Sequence, residues 1–234
     1  MPTVEIITIG TELLLGDIQD TNSRFIAQKL KEYGYDLFRI STVGDNQDRI
    51  SQLLREALQR SDILITTGGL GPTVDDPTRE AVAQAFNLNL VFHEDLWEQI
   101  TERFQIRGLA VSENNRKQAY IPENSFAIKN KYGTAPGFIL PIKQKYVICL
   151  QGVPQEMEKL LLEEVIPFLL KTIPPAHFLF SKTLHAIGIG ESVLDSMVGK
   201  YEKLSNPTVG LLAHAGMVDI RIVGSGTTRE AAAL

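Results

Sequence analysis

The 234-residue sequence contains 44% hydrophobic and 22% charged residues, carries a formal net charge of −5 and has one cysteine, Cys149. This composition is typical of a packed globular protein and excludes a disordered chain and an internal disulfide framework. The negative charge argues against nucleic acid as the main partner, because no excess of Lys and Arg is present to contact a phosphate backbone.

The beginning of the chain and its cysteine usage predict a cytoplasmic location. The first ten residues, MPTVEIITIG, have no basic region before an apolar one, so they predict a strand and not a signal peptide. No apolar run approaches the ~20 residues of a membrane-spanning helix, and we expect no membrane partner. Cys149 lies in the apolar run KYVICL and is expected to be a buried core residue.

Strand and helix patterns alternate through the first two thirds of the chain. The predicted strands are VEIITIG, DLFRISTV, DILITT, GFILPI and KYVICL. The predicted helices are NSRFIAQKLKEYG, NQDRISQLLREALQRS, one that opens at Pro77, one that contains Leu96 to Phe104, Ser112 to Tyr120, and PQEMEKLLLEEVIPFLL. This alternation predicts a mostly parallel sheet covered on both faces, which is a three-layer α/β/α domain over residues 1–172. In such sheets ligands bind beyond the carboxyl ends of the strands.

The segment KTIPPAH marks the boundary to a second, small α+β domain over residues 177–234. There FLFSKTLHAIG predicts a strand, GESVLDSMVGKY a helix, and TVGLLAHAGMVDIRIVG a hairpin that turns near Ala215 and Gly216. The last residues, TTREAAAL, predict a helix capped by Thr228. Since this unit ends at the start of a helix, we expect the domain to be incomplete.

The stretch TTGGLGPTVDDPT joins a predicted strand to a predicted helix and combines two opposite signals. Three glycines (Gly68, Gly69 and Gly71) would allow backbone N–H groups to approach an anion, and the following helix N-terminus favours negative charge. Asp75 and Asp76 would repel that anion unless a cation lay between them. A pyrophosphate held by the loop and by a Mg²⁺-like ion on both carboxylates resolves the conflict.

The ends of other predicted strands carry more acids and glycines. They are Gly10, Thr11, Glu12, Asp17, Asp20 and Asn22 after the first strand, Asp45 after the second, Gly133 and Gly137 in YGTAPGF, and Gly152, Pro154 and Glu156 after KYVICL. Because the carboxyl ends of parallel strands meet at one edge of a sheet, we expect these residues to face one crevice. Together they predict a metal–polyphosphate site.

Several of these acids have structural alternatives. Asp76 precedes Pro77, which is predicted at the first helical position, so Asp76 is well placed as the helix cap. Asp45 also precedes a helix and is equally consistent with a cap. Glu156 lies in a predicted first helical turn, where an acid complements the helix dipole.

Other catalytic devices are not indicated. The chain has no G-x-S-x-G motif, and its four histidines (His93, His177, His185 and His214) show no paired spacing for a metal. The glycine turn GIGES, at Gly188–Ser192, is interpreted as an ordinary strand-to-helix turn, because the chain is acidic.

The motifs TIGTELLLGDIQDTN, VGDN, TTGGLGPTVDDPTREAVAQAF, YGTAPGF and GVPQEM resemble, in this order, the amino-terminal region of the competence/damage-inducible protein A (CinA) family. That region is similar to the molybdopterin-binding domain of MogA and MoeA proteins. Residues 178–234 resemble the family's small KH-like domain, here in part. The family commonly has a third domain, a nicotinamide-nucleotide amidase, that these 234 residues do not contain. One departure is Leu150–Gln151–Gly152, where the family usually has Leu-Pro-Gly.

The resemblance implies an ADP-ribose pyrophosphatase that produces AMP and ribose 5-phosphate. It also implies a divalent metal (Mg²⁺ or Co²⁺), K⁺ as a possible additional ion, and a homodimer. The expected catalytic residues are Asp76, Asp75 and Asp45, with Asp75, Asp76 and Glu156 as metal ligands. The expected substrate-binding residues are Gly10, Thr11, Glu12, Asn22, Thr67, Gly68, Gly69, Gly71, Gly137, Gly152 and Pro154.

Two other functions remain open from the sequence. The same fold supports molybdopterin binding or adenylyl transfer in molybdenum cofactor synthesis, which differs only in the acceptor. A non-catalytic nucleotide-binding scaffold for an amidase domain is the other alternative, because a fold by itself does not establish an activity.

Overall fold

The computed structural model describes residues 2–233, so Met1 and Leu234, the outermost residues of the two predicted domains, lie outside the described residues. The chain divides into two compact units. Residues 2–28 and 36–174 form the larger unit, and residues 29–35 and 175–233 form the smaller one.

The secondary structure follows the predicted alternation. The strands are β1 (Thr3–Ile9), β2 (Asp36–Val43), β3 (Ile63–Thr67), β4 (Leu90–Phe92), β5 (Tyr120–Pro122), β6 (Phe126–Ile128), β7 (Gly137–Ile142), β8 (Lys145–Leu150), β9 (Phe178–Ile187), β10 (Thr208–His214) and β11 (Met217–Gly226). The helices are α1 (Thr11–Leu15), α2 (Asn22–Glu32), α3 (Gln47–Arg60), α4 (Thr78–Phe86), α5 (Glu94–Ile106), a 3-10 helix (Glu113–Ala119), α6 (Pro154–Leu160), α7 (Ile166–Thr172), α8 (Glu191–Glu202) and α9 (Arg229–Ala233).

The central sheet of the larger unit has the strand order β2-β1-β3-β8-β7-β6. Strands β2, β1, β3 and β8 are parallel, and β7 and β6 continue the sheet in antiparallel pairing. The register places Thr8 beside Thr67 and Thr67 beside Leu150, so β1, β3 and β8 end at one edge. The predicted mostly parallel α/β sheet is confirmed.

Both faces of the central strands are buried. On one face Ile7, Leu64 and Cys149 pack in the core with apolar side chains of α3, α4 and α5. The residues between them in sequence, such as Ile6 and Ile65, are also inaccessible to solvent. Burial raises the pKa of the Cys149 thiol to about 12, so it stays protonated at neutral pH. The prediction that Cys149 is a core residue is confirmed.

The smaller unit has an antiparallel sheet of order β10-β11-β9, together with α8 and α9. The predicted hairpin turns between β10 and β11, where Gly216 has a φ of +76°. The predicted cap is also present, since the amide of Ala231 donates to Thr228 Oγ1 at 3.1 Å. A small α+β unit is therefore confirmed.

Two of the histidines contact the same carboxylate in this smaller sheet. The Asp219 carboxylate contacts His185 Nδ1 at 2.6 Å and His214 Nε2 at 3.2 Å. Hydrogen bonding to His185 is the main cause that lowers the pKa of Asp219. The spacing of these residues along the chain does not show this contact, because strand pairing creates it.

The structure differs from the predicted elements at several places. The short helix α1 (Thr11–Leu15) was not predicted, and the helix predicted over Ser112 to Tyr120 is a 3-10 helix. Strands β4, β5 and β6 have three residues each, which is too short for a recognisable period, and they were not predicted. The single helix predicted after Pro154 is interrupted by a π-helical turn at Leu161–Val165. Pro167 follows this turn, and its missing N–H removes a hydrogen bond of the regular helix.

Within residues 2–233, every helix is too short or too polar to cross a lipid bilayer.

An ion pair with a buried carboxylate lies at the first strand of the larger unit. Glu5 of β1 is fully buried, and its two carboxylate oxygens accept hydrogen bonds from Arg60 at 2.7 and 2.9 Å. We expect Arg60→Met to lower the free energy of unfolding by about 3 kcal/mol, because the buried carboxylate loses its partner. Urea denaturation measures the change.

The double variant Glu5→Leu/Arg60→Met is the control. It should recover most of the lost stability, because no unpaired charge remains. A double variant as unstable as Arg60→Met would show that packing of the Arg60 side chain, and not its charge, is what matters.

Candidate active site

A cavity of about 460 Å³ lies at the edge where the parallel strands end. Its lining includes residues that follow β1, β2, β3 and β8. A smaller cavity of about 140 Å³ adjoins it and shares Ile9, Glu12, Gly68 and Gly152 with its wall. The expected crevice at the carboxyl ends is therefore present.

Most of the predicted site residues line these two cavities. The larger cavity is lined by Gly10, Glu12, Asp45, Gly68, Gly69, Gly71, Asp75, Asp76, Gly152 and Glu156. The smaller one adds Asn22, Thr67 and Pro154. Two predicted substrate-binding residues, Thr11 and Gly137, line neither cavity. Gly137 lies buried in β7, where a Cβ would come within 2.6 Å of the carbonyl oxygen of Cys149, so its role is close packing of the sheet.

Gly68 joins the ends of three strands. Its amide donates to the carbonyl oxygen of Leu150, which ends β8, at 3.1 Å. Its φ is +107°, and a Cβ there would lie 2.1 Å from the carbonyl oxygen of Ile9, which ends β1. The backbone conformation and the close approach both require glycine at this position.

The rest of the glycine loop is held by the beginning of α4. Thr78 donates from Oγ1 to the Gly68 carbonyl oxygen at 2.9 Å. The Arg79 guanidinium, only 1% exposed, donates to the carbonyl oxygens of Leu70 and Gly71 at 2.8–2.9 Å. Burial lowers the pKa of Arg79. These residues were not predicted, because an Arg in an amphipathic helix normally lies on its solvent face.

The alternative role of Asp76 as the cap of the following helix is wrong. Helix α4 begins at Thr78, and Pro77 itself occupies the cap position. The Asp76 carboxylate instead accepts a hydrogen bond from the amide of Thr73 at 2.9 Å and another from its hydroxyl. Lys117 of the 3-10 helix donates to the carbonyl oxygens of Thr73 and Asp76 at 2.5 and 3.2 Å. The loop is thus closed on itself and is held by a cation from another element.

The alternative role of Asp45 as a helix cap is also wrong. The cap of α3 is Asn46, whose side chain accepts from the amide of Arg49 at 3.0 Å. Asp45 Oδ2 accepts from the amide of Thr11 at 2.7 Å, and the amide of Asp45 donates to Thr11 Oγ1 at 3.1 Å. This reciprocal pair fixes Asp45 at the cavity and explains the position of Thr11.

Glu156 lies in the first turn of α6 and is oriented by Asn130. Asn130 Nδ2 donates to Glu156 Oε2 at 2.6 Å, and its Oδ1 accepts from the amides of Tyr132 and Gly133 at 2.9 Å. Asn130 is fully buried. It connects the glycine turn YGTAPGF to Glu156 in α6.

Three glycines of the site lie directly beneath carboxylates. A Cβ at Gly10 would come within 2.6 Å of Glu12, one at Gly71 within 2.4 Å of Asp76, and one at Gly133 within 2.0 Å of Glu156. The glycines therefore provide the space in which the acids fold over the backbone. This answers why glycines and acids occur together in the sequence.

The wall between the cavities is a network of amide and hydroxyl groups. Asn22 Nδ2 donates to Thr67 Oγ1 and to the Gly152 carbonyl oxygen, both at 2.8 Å, and Thr67 Oγ1 donates to the Gln151 carbonyl oxygen at 2.7 Å. Gln151 Nε2 donates to the carbonyl oxygen of Ala135 at 2.7 Å. The side-chain oxygens of Asn22 and Gln151 are buried and accept no hydrogen bond within residues 2–233.

The acids do not form a metal centre made by the protein alone. Among the described residues, no three His, Cys, Asp or Glu side chains converge on one point in the manner of a metal site. The acids surround the cavity, and their oxygens suit a hard divalent cation whose remaining ligands are phosphate oxygens. The donor set therefore fits Mg²⁺-like binding that is shared with a substrate.

The comparison with known proteins agrees with this architecture. The family model described as "Probable molybdopterin binding domain" matches residues 5–171, and the one described as "Damage-inducible protein CinA KH domain" matches residues 181–234. The chain belongs to the CinA-like family. The resemblance drawn from the strand-end motifs is thereby confirmed.

Relatives in the CinA-like family match nearly all of this chain. A protein from Halothermothrix orenii, provisionally named as competence-damage inducible, is 45% identical over 97% of this chain and 54% of the relative. A CinA-like protein from Kosmotoga olearia is 44% identical over 97% and 55%. The crystal structure of CinA from Thermoplasma acidophilum, described as of unknown function, is 38% identical with a TM-score of 0.66, covering 70% of this chain and 98% of that one. This chain spans about half the length of the curated relatives that it matches.

The close approach at Gly68 is testable by substitution. Gly68→Ala should lower the free energy of unfolding by at least about 3 kcal/mol, since it adds backbone strain to a clash with the Ile9 carbonyl oxygen. Gly16→Ala is the matched control, because Gly16 has a φ of +79° but nothing within 4 Å of a Cβ. It should cost about 1 kcal/mol. Urea denaturation of both variants checks the difference, and equal losses would contradict the clash.

Proposed function

We propose that the larger unit hydrolyses the pyrophosphate of ADP-ribose to AMP and ribose 5-phosphate with a divalent cation. The observation that carries the proposal is the cavity of about 460 Å³ in which the glycine loop meets acids from four strand ends. Phosphate and carboxylates share one space only when a cation lies between them. The CinA family resemblance supports the same activity.

The residues of this chain supply binding and orientation. The amides of Gly69, Leu70 and Gly71 donate to no acceptor within residues 2–233, so they are free to bind phosphoryl oxygens. Asp75, Asp76 and Glu156 are the candidate ligands; because the described acids do not converge three at a time, phosphate oxygens would complete the coordination of the cation. When bound, a divalent cation polarises phosphoryl oxygens and lowers the pKa of an attacking water.

Asp45 is the proposed proton acceptor. Its Oδ2 is occupied by the amide of Thr11, which leaves Oδ1 to accept a proton from water at the cavity. Glu12, which lines both cavities, assists by orienting the substrate. The homodimer and the K⁺ ion implied by the family resemblance stay predictions.

The family description supports one alternative, molybdopterin binding, which the same fold could couple to adenylyl transfer. A panel separates the possibilities. The metal-free chain is incubated with ADP-ribose, and with ATP plus a molybdopterin acceptor, each with Mg²⁺, with Co²⁺, or with EDTA. We expect AMP from ADP-ribose only when metal is added, as measured by liquid chromatography. Full turnover in excess EDTA would reject the site, and adenylylated pterin without AMP from ADP-ribose would favour the transferase.

The aspartate pair is tested by amide substitution. Asp75→Asn and Asp76→Asn should each lower turnover about a hundredfold, roughly 3 kcal/mol in the barrier, because an amide is a poor ligand for a hard cation. The free energy of unfolding should change by less than about 1 kcal/mol, since the amide oxygen introduced by Asp76→Asn would still accept a bond from Thr73. Turnover as a function of metal concentration and thermal unfolding measure both effects.

Asp17→Asn is the matched control, because Asp17 follows the same strand end as Glu12 but lines neither cavity. It should leave turnover unchanged. Wild-type turnover in both variants of the pair would show that the aspartates are structural. Loss in Asp76→Asn alone would leave Asp75 as a solvent-exposed loop residue.

A further inference from the structure

The 3-10 helix at Glu113–Ala119 contributes a side chain to the cavity that no motif in the sequence indicates. Gln118 lines the larger cavity, although only 1% of the residue is exposed to solvent. It lies next to Lys117, whose ammonium group holds the loop that carries Asp75 and Asp76. The helix thus lines the cavity with Gln118 and holds the adjoining loop with Lys117.

The orientation of the Gln118 amide follows from a chain of hydrogen bonds. The amide N–H of Ser112 donates to Asn115 Oδ1 at 3.2 Å, and the Ser112 hydroxyl donates to the same oxygen at 2.8 Å. A backbone N–H can only donate, so this contact identifies the oxygen of Asn115. Asn115 Nδ2 then donates to Gln118 Oε1 at 3.3 Å. The Gln118 Nε2 atom is therefore the free end of the amide.

The free end has no acceptor among the described residues. Nε2 of Gln118 donates to nothing within residues 2–233, yet it is not sealed from solvent as the side-chain oxygen of Gln151 is. The cavity is the open space beside it. A ligand in the cavity that accepts from Nε2 would replace water as its hydrogen-bond partner.

We propose that Gln118 is a substrate-positioning residue that donates from Nε2 to a phosphoryl oxygen, and that Asn115 fixes its amide in this orientation. This inference rests on the proposed function. A phosphoryl oxygen is the acceptor that the site favours, because the glycine loop brings phosphate into the same cavity. A neutral amide binds it without adding charge beside the cation and the acids.

Two substitutions test the donor itself. Gln118→Met, which removes the donor at similar volume, should raise the KM for ADP-ribose about 10- to 100-fold with a smaller effect on kcat. The dissociation constant of inorganic pyrophosphate with Mg²⁺, measured by titration calorimetry, should rise by the same factor. Gln118→Glu should be worse than Gln118→Met, since it places a carboxylate against the phosphate. Gln105→Met, at an exposed position of α5, is the control and should change neither value.

Asn115→Asp tests the orientation, because Asn115 does not line the cavity. An aspartate still accepts from Ser112 but cannot donate to Gln118 Oε1, so the Gln118 amide should turn its Nε2 away from the cavity. We expect the same rise in KM as for Gln118→Met. The double variant should be no worse than either single one, since both remove one interaction. A merely structural role of Asn115 would lower the melting temperature and leave KM unchanged.

The outcomes separate this inference from the proposed function. If the wild type hydrolyses ADP-ribose and both KM and pyrophosphate binding stay within twofold in Gln118→Met and Asn115→Asp, the assignment of Gln118 is overturned and the function stands. If the wild type has no turnover but binds pyrophosphate with the expected dependence on Gln118, the function falls and the assignment stands. If it binds neither ADP-ribose nor pyrophosphate, both fall. Should Gln118→Met not fold, Gln118→Glu and Asn115→Asp give the same decision.

Discussion

The backbone contact between Gly68 and the end of β1 determines the geometry of the site. A Cβ at this position would lie 2.1 Å from the Ile9 carbonyl oxygen, while the Gly68 amide reaches the Leu150 carbonyl oxygen at 3.1 Å. The loops that follow β1, β3 and β8 therefore begin next to one another, where the backbones of Ile9, Gly68 and Leu150 are in contact. Because each loop carries acids or amides, their side chains arrive around one cavity. The Thr78 and Arg79 contacts then hold the glycine loop in place from α4.

The site combines many acids with few cationic groups at the cavity. Lys117 uses its ammonium group on two loop carbonyls, and Arg79 is buried beneath the loop. The proposed anionic substrate would therefore be bound by neutral donors and by an added cation. Free backbone amides of the glycine loop and the Gln118 side chain provide the neutral donors in this proposal. In the same proposal Asp75, Asp76 and Glu156 hold the cation, and the carboxylates of Asp76 and Glu156 lie over Gly71 and Gly133.

Family membership and site geometry contribute different parts of this account. The family comparisons establish a molybdopterin-binding-like domain followed by a CinA KH domain. Within that framework the hydrogen bonds of this chain suggest which residues are available to bind a substrate and which hold the wall of the cavity in place. Thr67 and Asn22, for example, use their polar hydrogens to connect strand ends, so their main contribution is to the wall of the site.

The amino-acid sequence by itself determined the α/β alternation, and it placed glycines and acids at the strand ends, where the structure has a cavity. Those features depend on periodicity and on residues close in the chain, so local patterns carry them. The sequence did not determine that Asp76 binds Thr73, that Asn46 and not Asp45 caps α3, or that Asn130 orients Glu156. In the first two cases neighbouring polar groups compete for the same backbone N–H groups, and the packed loop selects the partner. Asn130 and Glu156, in contrast, are distant in sequence, and they come into contact only because the sheet brings its loops together. The same holds for the Gln118 side chain in the cavity. Only the tertiary structure determines these contacts.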